Sequence, residues 1–430
     1  MMEGGPVKGL FGWVLHRLTA SYWSVPLAAT IIALPASWAA LTIDREGFGA
    51  DIYADNLALV PVAGAAQEFA SVVAGVNAAL LTLYFSITLL VLTIATANLG
   101  VRLIDRWLDK RLTRISLGGL SFNLIFSLVV LAAIDPDAAA ADIPHGTLWA
   151  LILLETVNVA MLAVALHDLG RTIFVDRSIA HIARDAGRDR PAIVVADPFQ
   201  GHFADRIAAP RSGYVEGIDL DRLASDLATH PGRIRFCAPP GRHVMAGEPL
   251  ALLENGGADH ETVCRSIPIG QFRSGGQGAV FDIRLLVEIA ARALSPAVND
   301  FYTALACADR MADAMVAHET LWVSEEKVAA YEKAPRFELP GQDFRGFYDY
   351  PLKGFRQAAS AYPSVTIRMI DNFGRVARQV NNAELVAFLE EQAREWARHA
   401  IEKGAFEGDA KDIREALNGF LERREKDTEE

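Results

Sequence analysis

Glu155 and Asn158 stand three residues apart inside an apolar run, TLWALILLETVNVAMLAVALHDLG, that begins at Thr147. A carboxylate about eight residues into a bilayer-length segment is costly, and such groups carry function by default. Two chemistries fit the pair: handling of an ion or proton, or a protonated or amide-paired Glu155 that fixes helix register. His167 and Asp168 close the same run, where a solvated or phospholipid-facing position is expected for both. Nucleophile–base patterns are missing from the sequence: it has no GxSxG, HExxH or HxE…CxxC, no phosphate loop and no dinucleotide fingerprint. An enzyme is therefore the weaker hypothesis, and no catalytic residue, metal ligand or cofactor is expected.

A second set of polar residues lies on one face of a long helix expected over Glu68 to Asn98. At the helical period, Glu68, Ser71, Gly75, Ala78, Ala79, Thr82, Ser86, Thr93 and Thr96 fall within roughly a 120° arc. Leu89 is the one large apolar residue on it, while Val76, Leu80, Leu83, Ile87, Leu90, Val91 and Ile94 lie opposite. Lipid alone has no use for a small, hydroxylated stripe. Either it packs against another helix, as small residues do in membranes, or symmetric copies line a pore. In the second case Gly75, Thr82, Ser86, Thr93 and Thr96 face the axis and Leu89 is a hydrophobic constriction.

These residues need a bundle to position them. Apolar runs at about 22–43, 68–98, 116–134 and 147–169 predict four membrane spans, since about 20 residues cross a bilayer. Residues 1–21 carry Leu10, Phe11, Val14, Leu15 and Leu18 at helical spacing and predict an amphipathic helix on the membrane surface. For the first span a cleaved signal peptide ending near Ser37-Trp38-Ala39 is the alternative, disfavoured because the apolar core exceeds the usual length. The loops at 44–67 and 135–146 are acidic, while the N-terminus, 101–115 and 170–190 are basic. The positive-inside rule then predicts a multi-pass protein of a bacterial inner membrane with both termini cytoplasmic.

Composition agrees with a divided chain. Of 430 residues 51% are hydrophobic and 22% charged, with a mean hydropathy of +0.19. A membrane half and a soluble half account for that mixture. The net charge of −12 excludes nucleic acid as the main partner. Cys237, Cys264 and Cys307 show no metal spacing, so reduced thiols are expected.

The soluble half opens with a basic connecting helix (170–190) and a β module (191–272) broken by Gly and Pro turns. Its rhythm, PRSGYV, then PGRHV and AGEPL, resembles the hammerhead, or barrel-sandwich hybrid, of biotinyl and lipoyl carrier domains, with a helix at Leu220–His230 inserted. The attachment lysine of those domains has no counterpart, because residues 192–272 contain no lysine. Arg211 and Ser212 could grip an anion or simply form a turn. Residues 273–430 predict a helical domain with one aromatic-rich interruption near 337–350. Within it Ser295, Asn299 and Asp300 form a polar cluster, read as a helix break followed by an N-cap.

The chain resembles a widespread bacterial family of predicted inner-membrane proteins of unknown function. The pieces that carry this are FSITLLVLTIATANLG and RLIDRWLDKRL, APRSGYVEGIDLDRL, PGRHVMAGEPLALL and FDIRLLVEIAARALSPAVND. This chain departs by Phe301 after its Asn-Asp pair, by Asn98, and by His167-Asp168 in place of a His pair. The resemblance implies the four-span topology, a cytosolic α+β region and a membrane-linked role. Combined with the stripe, the expectation is a homo-oligomeric ion channel or channel-like protein in the lipid bilayer. The alternative is a non-transporting scaffold or sensor whose β module binds a ligand or partner.

Overall fold

The computed structural model describes residues 23–99, 111–171, 175–404 and 406–429. The amphipathic segment expected at 1–21 and the cations Arg102, Arg106 and Lys110 lie outside the described residues. The chain divides into two compact units, the second beginning at Val175.

In the first unit, α1 (Ser24–Ile43) passes through Asp44–Phe48, kinked at Gly47 (φ 120°), into α2 (Gly49–Ala54). Then come α3 (Ala63–Leu99), α4 (Arg111–Ala133) and α5 (His145–Arg171). Among the described residues, four helical stretches are long and apolar enough to cross a membrane: Ser24–Ala54, Ala63–Ile94, Arg111–Ala133 and His145–Gly170. The expected acidic loop at 44–67 is therefore helical as far as Ala54. The reason lies in Asp44, which is buried and turned onto the start of α5. Its carboxylate accepts from Gly146 N (3.0 Å), Thr147 N (2.7 Å) and Thr147 Oγ1 (2.6 Å), satisfying amides that a helix start otherwise leaves unpaired.

The bundle exposes apolar side chains and buries several polar ones. Ile31, Ile32, Leu34, Leu83, Leu90, Leu153 and Val164 are exposed, while Asn77, Thr88, Asn123, Ser127 and Asn158 are buried. Such a surface suits hydrocarbon rather than water. Two glycines let α4 approach its neighbours. A Cβ on Gly118 would sit 3.1 Å from Val25 of α1, and one on Gly119 would sit 2.5 Å from Asn158 Oδ1 of α5.

The second unit begins with α6 (Val175–Arg188), whose buried face is Ile179, Ile182, Ala183 and Ala186. Strands and short helices follow: β1 (Ile193–Ala196), β2 (Asp205–Ala208), β3 (Gly213–Val215), α7 (Leu220–Asp226), β4 (Ile234–Phe236), β5 (His243–Val244), β6 (Pro249–Leu253), α8 (His260–Ser266) and β7 (Ile269–Gly270). Next are α9 (Ala279–Ala293), α10 (Phe301–Ala317), β8 (Val328–Tyr331), β9 (Ala334–Glu338), α11 (Phe344–Ala359), α12 (Pro363–Ala377), α13 (Ala383–Glu402) and α14 (Glu407–Glu429).

A six-stranded sheet has the order β1-β8-β9-β4-β6-β2, and a three-stranded sheet the order β5-β3-β7. Among the described residues β4 and β9 alone pair in parallel; the other pairs are antiparallel. One core serves both sheets, with Val215, Ile234, Phe236, Leu250 and Phe337 buried in it beside Leu223 of α7 and Val263 of α8. The self-standing β module expected over 191–272 thus takes two strands from beyond it. β8 and β9 come from the stretch expected to be helical, and they join because Ala329, Ala330 and Phe337 are buried between β1 and β4. Glu338 ends β9 fully buried, accepting from Phe199 N (2.6 Å) and Arg235 Nε (2.6 Å). The remaining helices close around Phe355, Phe373 and Trp396.

Candidate functional site

On α3 the buried residues are Ala63, Ala66, Ala70, Val73, Ala74, Asn77, Tyr84, Thr88 and Val91. Steps of three, four and seven place them along one seam. The seam meets two apolar layers. Above, Ala70 and Val73 pack with Phe126, Val130 and Leu151; below, Tyr84 packs with Leu117, Leu120 and Leu162.

Between these layers three helices each contribute one polar side chain. Asn77 Nδ2 of α3 donates to Glu155 Oε2 of α5 at 2.7 Å and to its own Val73 carbonyl at 2.9 Å. Asn123 Nδ2 of α4 donates to the same Oε2 at 2.9 Å and lies 3.4 Å from Asn77 Oδ1. Both carboxamides are completely buried. Glu155 Oε1 and Asn123 Oδ1 are buried too, and neither has a hydrogen-bond partner among the described residues. Asn158, one turn on, donates to the Gly119 carbonyl at 3.2 Å and so ties α5 to α4. The amide-paired carboxylate is thus the arrangement found, with one oxygen held and the other free.

Glu68 is exposed near the start of α3, roughly 13 Å along the helix from Asn77 at 1.5 Å per residue. Sequence reasoning named Glu155 and Asn158 but passed over Asn77 and Asn123. The signal was present: each is a carboxamide in the middle of an apolar run, as Asn158 is.

The stripe residues face away from this seam. Gly75, Thr82, Ser86, Leu89 and Thr93 are exposed on the isolated bundle and Thr96 is half-buried. Each hydroxyl donates to a carbonyl four residues back, Thr82 to Ala78, Ser86 to Thr82, Thr93 to Leu89 and Thr96 to Leu92. These donors are thereby satisfied within the helix itself. Thr82 and Ser86 also border an open groove of about 580 Å³ between α1, α3 and α4, shared with Trp23, Pro26 and Phe85.

In the second unit, Asp300 caps α10, its carboxylate accepting from Thr303 N and Thr303 Oγ1. Asn299 holds a positive φ of 49° with its Oδ1 3.2 Å from Tyr362 Oη, and the Ser295 carbonyl accepts from Asn299 N. The cluster shapes a turn. Arg211 donates to the Ile269 carbonyl and Ser212 Oγ accepts from Ala246 N, so both brace the small sheet. The three cysteines are free thiols, and burial pushes the Cys237 and Cys264 thiols up. Burial also raises the Asp189 carboxyl, although Ala279 N donates to it at 2.7 Å. Among the described residues, no three His, Cys, Asp or Glu side chains are grouped to hold a metal ion.

Four helical stretches long and apolar enough to cross a membrane, among the described residues, and an apolar exterior define an integral membrane protein. Residues 19–374 match the family described as "Predicted membrane protein (DUF2254)", and the chain belongs to that family. It is similar to the uncharacterized proteins MT1328 and Rv1290c of Mycobacterium tuberculosis (strains CDC 1551 / Oshkosh and ATCC 25618 / H37Rv) and Mb1321c of Mycobacterium bovis. Each is 26% identical over 386 residues, covering 85% of this chain and 73% of the relative. No solved structure matches the chain.

Proposed function

We propose that this chain is a homo-oligomeric, channel-like protein of the bacterial inner membrane, in which α3 of each copy faces a common axis. One observation carries the reading. The bundle uses the Asn77–Tyr84–Thr88 face of α3 for its own core and leaves Gly75, Thr82, Ser86, Leu89 and Thr93 uncovered. Hydrocarbon gains nothing from small and hydroxylated residues, whereas a second helix or a column of water does. Around an axis the hydroxyl oxygens of Thr82, Ser86 and Thr93 would meet ions, and Leu89 would form the narrow point. Arg111 and Arg114 at the start of α4 and Arg177, Arg184 and Arg188 on α6 support a cytoplasmic location for those ends and for the second unit under the positive-inside rule. There it would assemble or gate the ring.

The test is the oligomeric state in detergent, by native mass spectrometry, followed by flux measurements in liposomes. A ring of three or more copies whose ion flux changes with Ser86→Leu or Thr93→Leu supports the channel. A monomer, or an assembled ring with flux untouched by both variants, overturns it. The protein would then be a scaffold or sensor, with the second unit as the place to seek a partner.

A further inference from the structure

The three residues around Glu155 share a depth. Taking the spans as Ala63–Ile94, Arg111–Ala133 and His145–Gly170, Asn77, Asn123 and Glu155 each fall within about three residues, or ~4 Å, of the span's midpoint. A carboxyl group therefore sits at the centre of the bilayer, between two apolar layers. There an uncompensated anion is strongly disfavoured. Among the described residues no basic side chain pairs with Glu155.

The charged and titratable groups on the elements around it are distant along their helices. On α3 these are Tyr84 and Glu68, on α4 Arg111 and Arg114, and on α5 His145, His167, Asp168 and Arg171; Asp44 sits at the start of α5, and α1 has none from Ser24 to Ile43. The two oxygens of Glu155 differ in a way that bears on this. Oε2 takes both carboxamide donors. Oε1 is buried with no partner, and so is the neighbouring Asn123 Oδ1.

We propose that Glu155 is a proton-binding site at the membrane midplane, with Asn77 and Asn123 as positioning residues. A lone pair on Oε1 binds a proton delivered from hydronium, forming an O–H bond and leaving water; release is the reverse, and no electrons change hands. The carboxamides keep Oε2 fixed in both states. A single proton neutralises the group and occupies the free oxygen. The site lies wholly inside one protomer, so it does not depend on a pore between copies.

The experiment is infrared difference spectroscopy of the full chain in liposomes, titrated from acidic to alkaline pH in sodium and in potassium buffers. A protonated-carboxyl band that disappears as pH rises, and that Glu155→Gln lacks, is expected. Asn123→Leu removes one of the two hydrogen-bond donors to Oε2, so the band should move in frequency. Should Glu155→Gln not fold, Glu155→Asp keeps a carboxyl and is expected to displace the band. A band unaltered by either Glu155 variant overturns the proposal. So does a band that vanishes on adding sodium at fixed pH, which would make the site one for a metal cation.

Discussion

Asn77 Nδ2 and Glu155 Oε2 lie 2.7 Å apart although 78 residues separate them in the chain. The contact joins the second and fourth spans at mid-depth, where each hydrogen bond must be made by the protein itself. Asn77→Leu deletes that donor and forces a branched side chain into the seam. Loss of about 1 kcal/mol of bundle stability is expected, the size of interhelical hydrogen bonds in membranes. Denaturant unfolding in mixed micelles measures it. Ser86→Ala on the same helix is the contrast, because that hydroxyl bonds only to Thr82 of its own helix; its midpoint should stay within ±0.5 kcal/mol of the parent.

The contrast between those residues also marks how far the sequence could be read. Four spans were legible because the bilayer fixes their length and leaves the apolar runs nowhere else to go. The stripe of α3 was legible as a stripe. Which face turned inward was not, since Ala66, Ala70 and Ala74 of the seam are as small as Gly75, Ala78 and Ala79 of the stripe. Only the partners on α4 and α5 decide between them. Asn77 was hidden for the same reason: residue size was followed, and a lone carboxamide among alanines broke no pattern. Strands β8 and β9 were illegible because VAAYEKAPRFE is short, Ala-rich and broken by Pro335. Their pairing partners β1 and β4 lie about a hundred residues upstream, so tertiary context outweighed local propensity.

Gly278 marks a close approach in the second unit. Its φ of 68° and ψ of −147° belong to a region almost closed to other residues, and a Cβ there would lie 1.9 Å from Asp189 Oδ2. That oxygen accepts from Ala279 N at the first turn of α9. Gly278→Ala should cost about 3 kcal/mol, from backbone strain together with a displaced carboxylate. Adding Asp189→Ala relieves the clash, so the double variant should lose less than the two single losses combined. Urea midpoints of the full chain, followed by hydrogen exchange in α9, give both numbers.

Glu338 is fully buried and Arg235, 30% exposed, supplies its shortest ionic contact at 2.6 Å. Arg233 is farther away at 3.8 Å. Arg235→Ala leaves the carboxylate with the Phe199 amide and that weaker neighbour. Breaking a buried pair is expensive; with Arg235 partly in solvent, a loss of about 2 kcal/mol is expected in thermal unfolding. Pairing Arg235→Met with Glu338→Gln removes both charges and keeps the volume. That combination should recover most of the loss, and a double variant as unstable as Arg235→Ala would refute the ionic explanation.

His318 follows α10 with its ring fully buried, Nδ1 2.9 Å from Tyr348 Oη. Burial, reinforced by the nearby Arg190 charge, lowers its pKa from 6.5 to about 4. The unfolded chain therefore binds a proton at a pH where the folded one does not. Stability contributed by the neutral ring is fully present above about pH 6.5 and is lost as pH falls toward 4. Below that both states are protonated and the slope ends. A shift of this size amounts to about 3 kcal/mol across the window, at about 1.4 kcal/mol per unit. Urea midpoints of the full chain, read from hydrogen exchange in α10 and α11, should fall through this range. In His318→Phe they should fall much less steeply, since the remaining carboxylates titrate mostly lower. Equal slopes in the two proteins would show that another buried group sets the acid limit of the second unit.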